Sequence, residues 1–398
     1  MRKYILLILT GALVWLIAAR SVLPDPAAPA FAPAQADEYN ILSLTLPAET
    51  ETAGSGMIGE ITAYYLSRQP TAKNALTGVL RGKNLVLICA DDWSPVPADR
   101  TANPALSRLA RESARLTQVW RPDWYQQEEG QLFALLSGLM PTRIRDRSAM
   151  TYIGEQNTFL PFALPRALSR EGYACRAVAV APSCAAGMTA LGFSETAPAD
   201  GRSASTIAEE LLIALDETQT PGFFFAQWPG DGEEALSLLL EGIDGTAHRT
   251  DTALCLLTAD ADSERAQLYI WGAGLSGASS DLPCSELDLT PTLLNLFGVP
   301  FDSRLLAGRD VFAPPGAPGT ASSLTPLVTL YGSAFSDWVT DIGRYDAAAD
   351  ELTASASLSS PRQEEYVRTT SLLCYHRYVF SRRVIESDYF RLLLFGRE

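Results

Sequence analysis

The chain has 398 residues, of which 47% are apolar and 19% charged, so it can bury the core of one large α/β domain or of two smaller ones. Its formal net charge of −15 makes nucleic acid or an anionic membrane surface a poor electrostatic partner. Its two histidines, His248 and His376, restrict histidine-based catalysis and histidine-rich metal sites.

The N-terminus has the pattern of an export signal. Arg2 and Lys3 precede the apolar segment Tyr4–Ala19, which is shorter than the roughly 20 residues of a full span. Because no good cleavage site follows closely, we expect residues 1–20 to be an uncleaved membrane anchor with the bulk of the chain outside the cytoplasm. Secretion after cleavage is the alternative.

Residues 21–38 are rich in proline and alanine, which is typical of an extended linker. Residues 39–80 include an amphipathic stretch from Ile58 to Leu66 and predict a helical lead-in to the first domain.

The next stretch, Asn84–Trp93, has the sequence NLVLICADDW. An apolar run of this kind predicts a buried parallel strand, and ligand sites in α/β sheets lie at the carboxyl ends of such strands. Asp91 and Asp92 follow the run, and paired carboxylates readily hold a hard or borderline cation. Alternatively, the two residues simply end the strand and open a turn.

A helix is predicted to begin at Asn103 and Pro104, a capping residue followed by proline at the first helical position. Apolar residues then recur at helical spacing: Leu106, Leu109, Ala110 and Leu116.

Three consecutive motifs within residues 84–143, NLVLICADDW, NPALSRLARESARLTQVW and LFALLSGLMPTR, resemble the sulfatase and lipoteichoic-acid-synthase branch of the alkaline phosphatase superfamily. Two later motifs, LDLTPTLLNLFGV and LAGRDVF, also match, and SRRVIESDYFRLLLF resembles the terminal helix of the synthases. The resemblance implies an α/β fold with a central, mostly parallel sheet flanked by helices. It also implies an α/β domain at residues 81–314 and a small α+β subdomain at residues 315–398.

In that family, the nucleophile opens a helix and is a threonine or a cysteine converted to formylglycine. The ungapped match to residues 134–141 places Glu128 at this position, and no Ser, Thr or Cys occurs between Thr117 and Ser137. Glu128 either faces the aspartate pair across a cation or points to water.

The resemblance also implies a distal metal pair, for which this chain has Asp260 and Ala261 in place of Asp and His. The histidine that the resemblance implies at the end of the strand at residues 173–180 is replaced by Ala179. Asp91, Asp92 and Asp260 are therefore the candidate metal ligands. This all-oxygen set favours Mn²⁺, Mg²⁺ or Ca²⁺ over zinc.

The rest of the sequence predicts strands and helices that alternate along the chain. Strands are expected at residues 173–180, 222–228 and 252–258, a strand and turn at 267–274, and helices at 158–172, 204–215, 287–299 and 363–395. Thr290 is expected to cap the third of these helices, with Pro291 in its first turn. Two or three short strands are expected between residues 324 and 345.

Several single residues carry weaker predictions. No cysteine lies in a CxxC motif, which argues against a zinc ribbon, and Cys175 and Cys184 are near enough in sequence to pair in an oxidising compartment. Four tryptophans fall near strand ends, where core packing or a binding cleft is expected: Trp93, Trp120, Trp124 and Trp228. His376 is expected to be packed and His248 exposed.

Three functions remain open. The first is a catalytically inactive domain of the cell envelope that binds a partner protein or a glycerophosphate-type polymer, with no cofactor. The second is a divergent metal-dependent phosphotransferase or ester hydrolase on such polymers, using the acidic residues named above. The third is a purely structural envelope protein. Because the nucleophile is missing and catalytic groups act as a unit, the residues favour the first.

Overall fold

The computed structural model describes residues 56–91, 93, 104–230, 232–245, 250–259, 263–317, 319–330, 337–354 and 358–396, with Asp91 described in its backbone only. The predicted anchor, the linker, Asp92, His248 and residues 260–262 lie outside these ranges.

The larger of two sheets has eight strands in the order β4-β3-β5-β1-β6-β7-β2-β8. Pairing is parallel from β4 to β6 and antiparallel at β6–β7 and β7–β2. Its strands are β1 Asn84–Asp91, β2 Ala114–Leu116, β3 Ala174–Val180, β4 Glu195–Pro198, β5 Gly222–Pro229, β6 Thr252–Ala259, β7 Ala266–Trp271 and β8 Ser279–Ser280. The predicted strands at residues 173–180, 222–228, 252–258 and 267–274 are thereby confirmed.

The centre of this sheet is apolar on both faces because helices cover both. Along β1, Leu85 and Leu87 point into one apolar layer, whereas Val86 and Ile88 point into the other. All four side chains are fully buried. The alternation explains why the sequence of β1 is a continuous apolar run.

The helices of the described residues are α1 Met57–Ser67, α2 Pro104–Glu112, α3 Gln127–Ser137, α4 Ala149–Gln156, α5 Leu164–Arg170, α6 Ala185–Leu191, α7 Ala204–Glu217, α8 Glu233–Gly245, α9 Leu289–Leu296, α10 Ser360–Glu386 and α11 Tyr389–Phe395. Two predictions were too long. Leu116 belongs to β2 rather than to α2, and the helix predicted at 158–172 begins only at Leu164.

The start of α9 differs from the expected cap. Ser285 caps a preceding 3₁₀ turn, Glu286–Asp288, in a capping box with Asp288, and the α-helix follows directly. The hydroxyl of Thr290 instead donates to the carbonyl of Leu135 in α3 at 2.6 Å. Thr290 therefore ties two helices together.

The smaller sheet is antiparallel, in the order β12-β11-β10-β9, with β9 Leu327–Thr329, β10 Trp338–Thr340, β11 Gly343–Asp346 and β12 Glu351–Ala354. Two or three strands were predicted here, and four are present. The predicted C-terminal helix is broken at residues 387–388 into α10 and α11.

The six cysteines are buried and free, so Cys175 and Cys184 are not paired. Cys175 lies inside β3, where its thiol contacts the carbonyl of Pro165, whereas Cys184 lies in a turn beyond the end of that strand. Among the described residues, no helix is both long and apolar enough to cross a membrane.

Candidate functional site

The candidate site lies at the carboxyl edge of the parallel strands. β1 is hydrogen-bonded between β5 and β6, and Asp91 pairs in register with Pro229 on one side and Ala259 on the other. The last residues of β1 and β6 therefore lie next to each other at this edge. Asp92 follows the first strand and Asp260 the second.

The ligand set predicted from sequence falls largely outside the described part of the chain. The side chain of Asp91, together with Asp92, Asp260 and Ala261, is not described. Within the described residues, no group of three or more His, Cys, Asp or Glu side chains is arranged to hold a metal ion. The carboxylates at the ends of β1 and β6 stay a sequence prediction.

Glu128 occupies the second residue of α3, so the predicted helix start is present. Its side chain is exposed, as expected for a carboxylate that points to water, but it is held in place. The amide nitrogen Nε2 of Gln227 donates to Glu128 Oε1 at 2.9 Å. A neutral amide from β5 thus engages the side chain at the position that the resemblance assigns to the nucleophile.

Gln227 is the site residue that sequence reasoning missed. Its Oε1 accepts a hydrogen bond from the backbone N–H of Ala181 at 2.8 Å, so one side chain joins the end of β3 to the start of α3. Gln227 is 9% exposed and stands in the strand GFFFAQWP. A buried amide in an apolar strand needs partners on both of its polar atoms, and that was the available signal.

The approach to α3 is fixed by its first residues. Gln126 adopts a left-handed conformation with φ of 51°, and Gln127 accepts from the N–H of Trp124 at 2.8 Å. Glu129 turns away from Glu128 and accepts hydrogen bonds from the hydroxyls of Ser148 and Thr151 at the start of α4. The two neighbouring glutamates therefore have different partners.

The thiol of Cys184 is close enough to both glutamates to feel their charge. Burial raises its pKa to about 12; a hydrogen bond with Ser183 opposes part of this shift, and the smaller effects of the charges of Glu129 and Glu128 add to it. A thiol with that pKa stays protonated at neutral pH. Since the thiolate is the nucleophilic form, Cys184 is not suited to replace the missing nucleophile.

Core packing accounts for three of the four tryptophans named above. Trp93, Trp124 and Trp228 are 7%, 3% and 2% exposed, and the rings of Trp93 and Trp228 lie 6.4 Å apart. Trp120 is half-buried beneath the guanidinium of Arg265, whose Cζ lies 4.2 Å from the ring centroid. Trp93 and Trp228 pack in the core on one face of the sheet, whereas Trp124 packs against Ala134 of α3.

Behind α3, the indole N–H of Trp124 donates to the carboxyl group of Glu286, which is fully buried. Burial raises the pKa of Glu286 to about 8, so this carboxyl group is mostly protonated at neutral pH. His376 is packed as expected, with its ring 6.1 Å from Tyr64 and 6.0 Å from Phe380, and burial lowers its pKa.

No protein-family model and no curated protein sequence matches this chain. Solved structures do resemble it. The lipoteichoic acid synthase LtaP from Listeria monocytogenes superposes with a TM-score of 0.61 at 13% identity, covering 78% of this chain and 96% of that one. An alkaline phosphatase superfamily protein from Vibrio parahaemolyticus gives 0.56 at 13% identity, covering 84% and 96%.

The PsFucS1 sulfatase from Pseudoalteromonas sp. gives a TM-score of 0.50 at 10% identity, covering 79% of this chain and 96% of that one. At such identities the likeness establishes the fold alone. The chain has the mixed α/β fold of these proteins, with a central, mostly parallel sheet, and the fold predicted from the sequence motifs is confirmed.

Proposed function

We propose, from the fold shared with a lipoteichoic acid synthase and a sulfatase, that this chain is a non-catalytic protein of the cell envelope. It would bind a partner protein or a glycerophosphate-type polymer at the carboxyl edge of its main sheet. The observation that carries the proposal is the hydrogen bond from Gln227 to Glu128. It joins a neutral amide to a carboxylate at the position where the resemblance implies a nucleophilic hydroxyl.

The surroundings of Glu128 support this reading. A carboxylate fixed by Gln227 is further constrained because Gln227 is itself anchored on the N–H of Ala181. Cys184 remains a protonated thiol, and the hydroxyl of Ser137 is buried and donates to the carbonyl of Phe133 at 2.6 Å. The side chains of Cys184 and Ser137 are therefore engaged in the interior, and the exposed carboxylate of Glu128 is held by Gln227.

The second candidate is a metal-dependent phosphotransferase or ester hydrolase, favoured by the register that sets Asp91 beside Ala259. In the sequence, Asp92 follows Asp91 and Asp260 follows Ala259, and carboxylate oxygens fit Mn²⁺, Mg²⁺ or Ca²⁺. A bound ion would polarise a phosphoryl or sulfuryl oxygen there.

The deciding experiment is calorimetric titration of the full chain with Mn²⁺, Mg²⁺, Ca²⁺ and Zn²⁺, beside assays with phosphodiester and sulfate-ester substrates. The same measurements are made on the double variant Asp91→Asn/Asp260→Asn. Asp251→Asn is the matched control, because Asp251 precedes the same strand β6 at its opposite end. We expect no turnover with any ion.

Turnover that the double variant abolishes and the Asp251→Asn control retains would overturn the proposal in favour of the enzyme. Ion binding without turnover would leave a non-catalytic protein that uses a cation to hold its ligand.

The second part of the proposal is a membrane anchor at residues 1–20, supported by the basic start and the apolar segment Tyr4–Ala19. After alkaline carbonate extraction of membranes from expressing cells, we expect the full chain in the membrane pellet. Release of the chain into the supernatant would contradict an anchor and favour a cleaved signal.

A further inference from the structure

The last helix, α11, has apolar residues on both of its sides. Tyr389 and Phe390 point inward and are 0% and 3% exposed, whereas Leu394 and Phe395 are 44% and 66% exposed. Single exposed apolar side chains are common on protein surfaces. These two lie next to each other and belong to a larger group that includes arginines.

The exposed end of α11 contacts the segment that precedes α5 in the sequence. The ring of Phe395 contacts that of Phe159 at 5.6 Å. The guanidinium groups of Arg166 and Arg391 lie over the Phe159 ring, with Cζ 5.1 Å and 5.9 Å from its centroid. We call this group the Phe159–Phe395 face, consisting of Phe159, Arg166, Arg170, Arg391, Leu394 and Phe395.

The positive charge of this face is opposite to the net negative charge that makes the chain as a whole a poor partner for an anionic membrane. Of its arginines, Arg391 pairs with Asp388 at 2.5 Å. Arg166 donates to the carbonyl of Ala190, and no ion pair to it occurs among the described residues. Burial lowers the pKa of Arg166, and the neighbouring positive charges of Arg391 and Arg170 lower it further.

We propose that the Phe159–Phe395 face docks on an anionic lipid surface. Exposed aromatic and aliphatic side chains beside arginines are the combination that binds the headgroup region of anionic bilayers. Lipid phosphates would neutralise cations that are crowded on a chain with a net charge of −15. The negative charge of the remaining surface then favours one orientation, with this face towards the lipid.

The position of the face agrees with that orientation. Tyr389 of α11 shares a hydrogen bond of 2.9 Å with Thr62 of α1, and Arg383 of α10 pairs with Glu60 of α1 at 2.6 Å. Helix α1, the first helix of the described residues, therefore packs beside α11. The docking does not depend on whether the carboxyl edge of the main sheet is catalytic.

Hydrogen exchange on the full chain, reconstituted in vesicles, tests the proposal. We expect the backbone amides of residues 389–396 to exchange more slowly in vesicles containing phosphatidylglycerol than in vesicles of phosphatidylcholine alone. The protection should be lost in Leu394→Ser/Phe395→Ser and should decrease at high salt. Arg170→Gln removes an exposed cation and should reduce the protection from exchange about fivefold.

Ile213→Ser is the matched control, because Ile213 is 56% exposed on α7, whose core contacts lie on the opposite face of the sheet. It should leave the protection unchanged, and unchanged exchange in β6 shows that each variant is folded. Equal exchange of residues 389–396 in the two kinds of vesicle would overturn the proposal. So would protection that appears without vesicles and grows with protein concentration, because a second copy would then cover the face.

Discussion

At the scale of single residues, burial is the largest cause of the pKa shifts of the carboxyl groups of Glu286 and Asp310. Glu286 is 1% exposed and has one side-chain donor, the indole of Trp124. Asp310 is also fully buried, but it accepts from the side chains of Asn74 and Asn295 at 2.7 and 2.9 Å. Burial raises the pKa of Glu286 to about 8 and that of Asp310 to about 6. The carboxyl group that accepts more side-chain hydrogen bonds has the smaller pKa shift.

Glu286 should make stability depend on pH. Its folded-state pKa of about 8 lies above the ordinary value of 4.5, so between these values the folded chain holds a proton that the unfolded chain has lost. The free energy of unfolding should therefore fall as pH rises from about 4.5 to about 8, by an amount on the order of 4 kcal/mol. Glu286→Gln, which mimics the protonated form, should remove this contribution.

Urea unfolding at pH 5, 6.5 and 8 measures the effect. The difference in the free energy of unfolding between Glu286→Gln and the unchanged chain should grow as the pH rises. Glu171→Gln at an exposed position is the control and should give no such trend. Two parallel pH profiles for Glu286→Gln and the unchanged chain would show that Glu286 is not protonated in the folded state.

At the scale of elements, the helices that surround the site are held by close contacts as well as by apolar area. α4 and α6 cross where Gly154 faces Gly187. A Cβ added to Gly154 would lie 2.8 Å from the backbone nitrogen of Gly187 and 2.9 Å from the backbone carbon of Ala186. Backbone atoms cannot move aside as a flexible side chain can, so the two helices would have to separate.

Gly154→Ala should consequently destabilise the chain although alanine is the better helix former. We expect a loss of about 1–3 kcal/mol from overpacking, partly offset by helix propensity. Gly245→Ala in α8 is the matched control, because no described atom outside the backbone of its own helix lies within 4 Å of the added Cβ. It should be neutral or stabilising by up to about 1 kcal/mol. Thermal unfolding of both variants gives the comparison, and equal stability of the two would contradict the close crossing.

At the scale of the whole molecule, the C-terminal helices connect the two sheets. The first half of α10 packs on the smaller sheet through Tyr366 and Cys374, whereas Ile385, near its end, is buried in the main core. A second link is the bidentate ion pair between Arg344 of β11 and Glu264, at 2.8 and 2.9 Å. We therefore expect the two sheets to unfold together.

Ile385→Ala tests this coupling. The side chain is 1% exposed, so its truncation should cost about 2–5 kcal/mol. If the molecule is one cooperative unit, hydrogen exchange should accelerate equally in β6 of the main sheet and in β10 of the smaller sheet. Ile213→Ala at the exposed position on α7 should change neither. Faster exchange in β6 alone would identify the C-terminal sheet as an independent unit.

The sequence alone determined the fold class and the order of the central elements. Continuous apolar runs at β1, β5 and β6 specify buried parallel strands whatever the details of their neighbours, and the motif order along the chain indicated the superfamily fold. The ungapped match to the family motif also placed a helix start at Glu128, which is the second residue of α3.

Only the tertiary structure decided what these elements contact. The partners of Glu128, Thr290 and Glu286 are Gln227, Leu135 and Trp124, at sequence separations of 99, 155 and 162 residues. No local pattern encodes such pairs, because they arise when the sheet and its helices bring distant segments together. The same holds for the Phe159–Phe395 face, whose arginines and aromatic rings come from two segments that meet only in the folded chain.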